Sequence, residues 1–137
     1  MGISKIQNVW YPTINNIIQI NKKAIEFKTK KKEQHKVLNS KKIEEFVLEL
    51  QNFSGSIEDK AAFIILKMSP ANFHAFSQGN RRTAYMLANL FLWKNKCYMI
   101  AKKRFKTEEM FKEIRRKDFT IRDISNWLFK EKFKTNN

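Results

Sequence analysis

"HAFSQGNRRTAYMLANLFLW", residues 74–93, decides how the rest of this chain reads. Its opening gathers a histidine, a glycine, an asparagine and two arginines, and its second half is apolar but for Asn89. A segment apolar on nearly every side, extended here over 82–100, reads as the central buried helix of a domain. Upstream, "SIED" at 56–59 has capping-box spacing and opens the apolar run "KAAFIILKM", which Ser69-Pro70 should end or bend. Further back, Ile43, Phe46, Val47 and Leu50 recur at helical spacing, with Ser40 placed to cap and Glu44 and Glu45 early in the helix. "NFSGS" at 52–56 is a turn, and Ile14, Ile17, Ile18 and Ile25 mark a first helix. The basic segment 28–36 interrupts the pattern as an exposed loop. Downstream, Thr107 can cap a helix carrying Met110, Phe111 and Ile114. "TIRD" at 120–123 repeats the capping spacing before Ile124 and Leu128.

Strand-like alternation is absent, and 3 Gly and 2 Pro are scant punctuation for a many-stranded protein. The reading is an all-α single domain over 1–137, with about six helices around a long buried central one. With 42% apolar residues, including 12 Phe and 3 Trp, the chain can bury a core. A lone cysteine, Cys97, excludes an internal disulfide and points to a reducing, cytoplasmic setting. The N-terminal "MGISKIQNVWYP" lacks a signal-like apolar core, and no run approaches the roughly 18 residues of a membrane helix, so no membrane is expected as a partner.

The charge is lopsided, 28 Lys and Arg against 13 Asp and Glu for a net +15. Such a field suits a nucleic acid or an acidic partner, but no nucleic-acid fold signature accompanies it. Lysine-rich solvated faces account for the charge more simply.

The polar half of the opening stretch carries chemistry. Asn80 is a natural N-cap, and the N-terminus of a helix presents unpaired N–H groups that suit phosphate. Gly79 permits positive φ and close approach of a ligand. Arg81 and Arg82 add guanidinium forks, although cations at a helix start oppose its dipole. His74 is a candidate general base, because an imidazole side chain ordinarily titrates near neutral pH. Phe73 and Phe76 read as core.

Spaced this way, His74, Phe76, Gly79, Asn80 and Arg82 match in register the Fic/Doc signature, His-x-Phe-x-Asp/Glu-Gly-Asn-Gly/Lys-Arg. The flanking "INKKAIEF" (20–27), "HKVLNSKKIEEFV" (35–47), "EDKAAFIILKM" (58–68), "ANLFLWKNKCYM" (88–99) and "DISNWL" (123–128) also resemble segments of that family. The resemblance covers about residues 14–130. It implies an all-helical fold and transfer of a phosphoryl or AMP group from ATP, or another nucleoside triphosphate, to a protein Ser, Thr or Tyr hydroxyl. It implies His74 as the base, Gly79 in an anion hole, and Asn80 and Arg82 on phosphates. Arg81, basic where the family has Gly or Lys, is closer to the Doc pattern. That subtype implies a toxin acting on a translation factor and held by a cognate antitoxin. The family's target-aligning flap is expected near Gln51–Ser56.

Gln78 departs from the motif. It stands at the acidic position that holds Mg²⁺, where a neutral amide is the weaker ligand. The implied outcomes are a slow enzyme, one that draws a carboxylate from elsewhere, with Glu58 and Asp59 as acidic residues on another helix, or a binding module that has lost catalysis. "SKKIEE" (40–45) partly matches an inhibitory-helix pattern of the family but reads as a capped helix. The sequence favours the transferase. A degenerate module binding a nucleotide, anion or protein follows, and a basic nucleic-acid binder comes third.

Overall fold

The computed structural model describes residues 8–26, 36–70, 73–98, 104–115 and 119–130. Six helices lie among them: α1 (Ile14–Glu26), α2 (Ser40–Asn52), α3 (Ile57–Met68), α4 (Asn80–Lys94), α5 (Arg104–Arg115) and α6 (Ile121–Lys130). No strand forms among the described residues, and one isolated antiparallel bridge joins Val37 to Phe76. The all-α expectation holds. The basic segment 28–36 falls almost wholly outside the described residues.

Local chemistry sets most boundaries. Thr13 and Asn16 exchange backbone-to-side-chain bonds of 2.9 and 3.0 Å at the start of α1. Ser56 Oγ accepts from the Asp59 N–H and caps α3, and Thr120 and Asp123 cap α6 reciprocally, both at the spacing read from sequence. Elsewhere the caps shift. Asn39, rather than Ser40, accepts from the Lys42 N–H, and Thr107 lies inside α5 instead of capping it. α3 ends at Met68, immediately before Ser69-Pro70.

α4, the longest helix, stops at Lys94 and does not run through Cys97 and Tyr98; residues 99 and 100 lie outside the described residues. The stop is a Schellman turn. Lys96 takes φ 63°, the Cys97 N–H bonds the Leu92 carbonyl at 2.9 Å, and the Lys96 N–H bonds that of Trp93 at 3.1 Å. Asn95 then ties the turn to the N-terminal segment, its Oδ1 accepting from the Trp10 N–H and its Nδ2 donating to the Trp10 carbonyl.

α3 packs against both α4 and α6, and α4 also packs against α1. Ala84, Leu87, Ala88, Phe91 and Leu92 of α4 are buried against Ala61, Ala62, Ile64, Ile65 and Met68 of α3 in one core. Alanines on both helices allow the backbones to approach closely, while Phe91 and Trp127 fill the larger spaces. α4 keeps a solvated face with Asn89, Trp93 and Lys94 exposed. α3 exposes only Lys67. Its Lys60 is buried and donates to the Leu50 and Phe53 carbonyls, capping the C-terminal end of α2. Among the described residues no helix is long and apolar enough to cross a membrane.

Candidate functional site

The loop between α3 and α4 carries the motif, and its form follows from where its side chains go. After the turn in which the Phe73 N–H bonds the Pro70 carbonyl, His74 adopts φ 36°, unusual for a residue with a Cβ. That backbone turn leaves His74 exposed while Ala75 and Phe76 are fully buried. Phe73 is half-buried, edge-on to Phe46 at 6.0 Å. The chain next pairs with residues 36–39: Leu38 and Asn39 N–H groups bond the Ala75 carbonyl, and the Ser77 N–H bonds the Lys36 carbonyl. Segment 36–39 is therefore the extended strip beside the motif. Gln51–Ser56, where the flap was expected, runs from the last turn of α2 to the N-terminal end of α3, and none of it lines the cleft in front of the motif loop. The correction follows from the length of α3, about 18 Å at 1.5 Å per residue, which separates the two ends.

Asn80 fixes the loop. Its Oδ1 accepts from the Phe76 N–H at 3.1 Å and its Nδ2 donates to the Phe76 carbonyl at 2.9 Å. The N-cap is Gly79, at φ 77°, rather than Asn80. A Cβ at Gly79 would meet Asn21 Nδ2 at 3.3 Å and Ile25 Cγ1 at 3.4 Å, so both the dihedral and the space select glycine. Asn21, fully buried on α1, donates to the Gln78 carbonyl at 2.9 Å and to Thr83 Oγ1 at 3.0 Å. α1 thereby holds the motif loop and the first turn of α4 together. Arg82 Nη1 donates to the Ala24 carbonyl at 2.6 Å, also on α1.

A cleft of about 300 Å³ opens in front of this loop. His74, Gln78, Gly79, Asn80 and Arg81 all line it, with Ser69, Pro70 and Ser77 beside them and Phe111, Ile114 and Arg115 contributed by α5. Arg82, directed to Ala24, is not among the lining residues. The sequence reading missed Arg115 and Asn21. Arg115 was visible only as part of the basic run "KEIRRK", and Asn21 as one polar residue in an isoleucine-rich helix. Arg81 is exposed, with its guanidinium carbon 6.0 Å from the centre of the Phe111 ring. Chemically, the cleft offers an imidazole, two guanidiniums and the positive end of a 15-residue helix. That chemistry suits an anion.

The lining contains no carboxylate, and among the described residues no group of His, Cys, Asp or Glu is placed to hold a metal. Glu58 and Asp59 begin α3, whereas the cleft opens past its other end, so neither can supply the missing carboxylate. Glu58 instead faces Cys97, 3.7 Å from its sulfur. Glu44 and Glu45 on α2 do not line the cleft either. Mg²⁺ binding in proteins rests on carboxylates together with phosphate and water. Gln78 beside Arg81 and Arg115 does not make such a site.

A model of the Fic/DOC family matches residues 11–92, more than half of the chain. No curated protein and no solved structure matches it. The matched stretch begins before α1 and ends within α4, so it includes Asn21, the bridge at Val37 and the entire motif loop.

Proposed function

Because the chain belongs to the Fic/Doc family, whose members are usually transferases, we propose that it moves a phosphoryl or AMP group from ATP, or another nucleoside triphosphate, to a protein hydroxyl. The observation that carries this reading is the shared cleft: His74, Gly79, Asn80 and Arg81 line one anion-suited space. His74 takes the proton of the target hydroxyl as that oxygen attacks phosphorus. The bond to the departing ADP or pyrophosphate breaks, and the electron pair leaves with it. The Gly79 turn brings backbone close to the phosphates, and Arg81 offsets their charge. Asn80 acts by holding the loop through Phe76, and Arg82 by tying α4 to α1.

In finer detail, the basic residue at Arg81 favours a Doc-like phosphoryl transfer. The proposal extends to a cytoplasmic toxin acting on a translation factor and restrained by an antitoxin. One observation favours a second reading, a module that binds a nucleotide or anion without turnover: Gln78 and a lining free of carboxylates. ATP labelled separately at the α and γ positions, incubated with the protein and a cell lysate, tests both. Label from γ alone in a protein band means phosphoryl transfer, and label from α means AMP transfer. Either should vanish in His74→Ala. No transfer from either label, with ATP still bound, selects the binding module.

A further inference from the structure

The cationic charge in the cleft does not come from the motif's matching arginine. Arg82 is directed to Ala24 on α1, leaving Arg81 and Arg115 as the arginines that line the space. Arg115 is the last residue of α5, and Phe111 lies one helical turn before it on the same face. Arg81 rests over that Phe111 ring, so α5 places Phe111 and Arg115 beside Arg81 in the lining of one cleft. Neither is ion-paired to a carboxylate among the described residues, and none lines the cleft. Two like charges lining one small space repel each other, and an anion between them relieves that repulsion. A polyphosphate has that charge, and its oxygens suit guanidinium forks.

The geometry points to Arg115 as a phosphate-binding residue that, with Arg81, neutralises the ligand in place of a divalent cation. The site then takes the metal-free polyphosphate. This rests on the cleft being a phosphate site. It differs from the motif-based expectation in both the residue and the form of the ligand.

Calorimetric titration of the full chain with ATP, and with inorganic triphosphate, in EDTA and then in MgCl₂ tests it. The natural protein should bind both at least as tightly in EDTA as with magnesium. Arg115→Gln should weaken binding roughly tenfold or more, the size of one charge-assisted contact, and Arg115→Lys should recover part of the loss. Arg122→Gln, exposed on α6 and outside the cleft, should change affinity less than about twofold. Arg115 is exposed at a helix end, so its variants should keep the helical circular dichroism of the parent. Equal losses in Arg115→Gln and Arg122→Gln would reduce the effect to the protein's general charge. Undiminished binding in Arg115→Gln, or binding only with magnesium, overturns the inference while leaving the cleft as the ligand site. No binding of ATP or triphosphate by the natural protein under either condition overturns the phosphate-site reading and this inference with it.

Discussion

Arg82 donates from Nη1 to the carbonyl oxygen of Ala24 at 2.6 Å, joining the first turn of α4 to the last turn of α1. The Ala24 carbonyl is one of the four that α1 cannot satisfy internally, and it lies at the negative end of that helix's dipole. The bond also relieves a cation placed unfavourably at the start of α4. One arginine thus serves two helix ends.

This arrangement predicts that Arg82→Ala loses stability as well as any ligand contact. A charge-assisted bond in a half-buried position should be worth about 1–2 kcal/mol, read as a lower urea midpoint at unchanged slope. Arg82→Lys should recover part of it. An unchanged midpoint in Arg82→Ala would mean that the Ala24 bond is not held in solution.

Gly79 and Asn21 make a second prediction. Gly79→Ala forces a Cβ into a left-handed position at a cost of about 1–2 kcal/mol and presses it against Asn21 Nδ2 at 3.3 Å. Asn21→Leu removes the bonds to the Gln78 carbonyl and Thr83 Oγ1 and should cost about 1–3 kcal/mol. Because both changes act on the same contact, the double variant should lose less than the sum of the singles. Strict additivity in urea unfolding would show that Asn21 and Gly79 do not communicate.

Cys97 supplies a pH prediction. Partial burial pushes its thiol above the ordinary value, and the Glu58 carboxylate 3.7 Å away adds repulsion and a hydrogen bond in the same direction. The thiolate is the nucleophile, so iodoacetamide should modify Cys97 more slowly at pH 8.5 than it does a free cysteine peptide. Glu58→Gln should speed the reaction. In linkage terms the folded state holds this proton more tightly than the unfolded chain. Its contribution to stability is therefore complete below the unfolded value and is lost as pH rises through the folded one. Faster reaction in the native protein than in the peptide would contradict the placement of Glu58.

Much of this was legible beforehand because it is local. The capping pairs Ser56–Asp59 and Thr120–Asp123, the break at Ser69-Pro70 and the periodicities of α1 and α2 depend on residues within a few positions of one another. The C-terminal end of α4 was not legible. Glycine is the usual signal for a left-handed stop, and here Lys96 takes that conformation with no glycine near it in a largely apolar stretch. Asn21 and Arg115 escaped for a different reason. Asn21 meets its partners 57 and 62 residues away, and Arg115 joins the cleft from α5, more than thirty residues after the motif. Periodicity shows that a helix has a buried face. It does not show which polar residue on that helix meets a distant loop.

Gln78 carries the last prediction. It is exposed and lines the cleft with Arg81 and Arg115, and its backbone carbonyl is held by Asn21. The change Gln78→Glu is nearly isosteric and leaves that backbone bond intact, so the fold should survive. It would add a carboxylate to a lining that has none among the described residues. In EDTA the new charge repels a bound polyphosphate, and at the effective dielectric of a partly solvated cleft ATP affinity should fall roughly three- to tenfold. With MgCl₂ the same carboxylate becomes a ligand for the ion, and affinity should return to the parent's level or exceed it. The natural protein should show little difference between the two conditions. The ratio of affinities with and without magnesium therefore reports what stands at position 78, independently of whether any target protein is in hand. If transfer is also measured, Gln78→Glu should be faster than the parent with magnesium and slower without it, since phosphoryl and nucleotidyl transfer depend on charge neutralisation at the phosphates. A well-folded Gln78→Glu protein whose ATP affinity ignores magnesium would show that position 78 does not face the phosphates, and the register of the site would have to be redrawn.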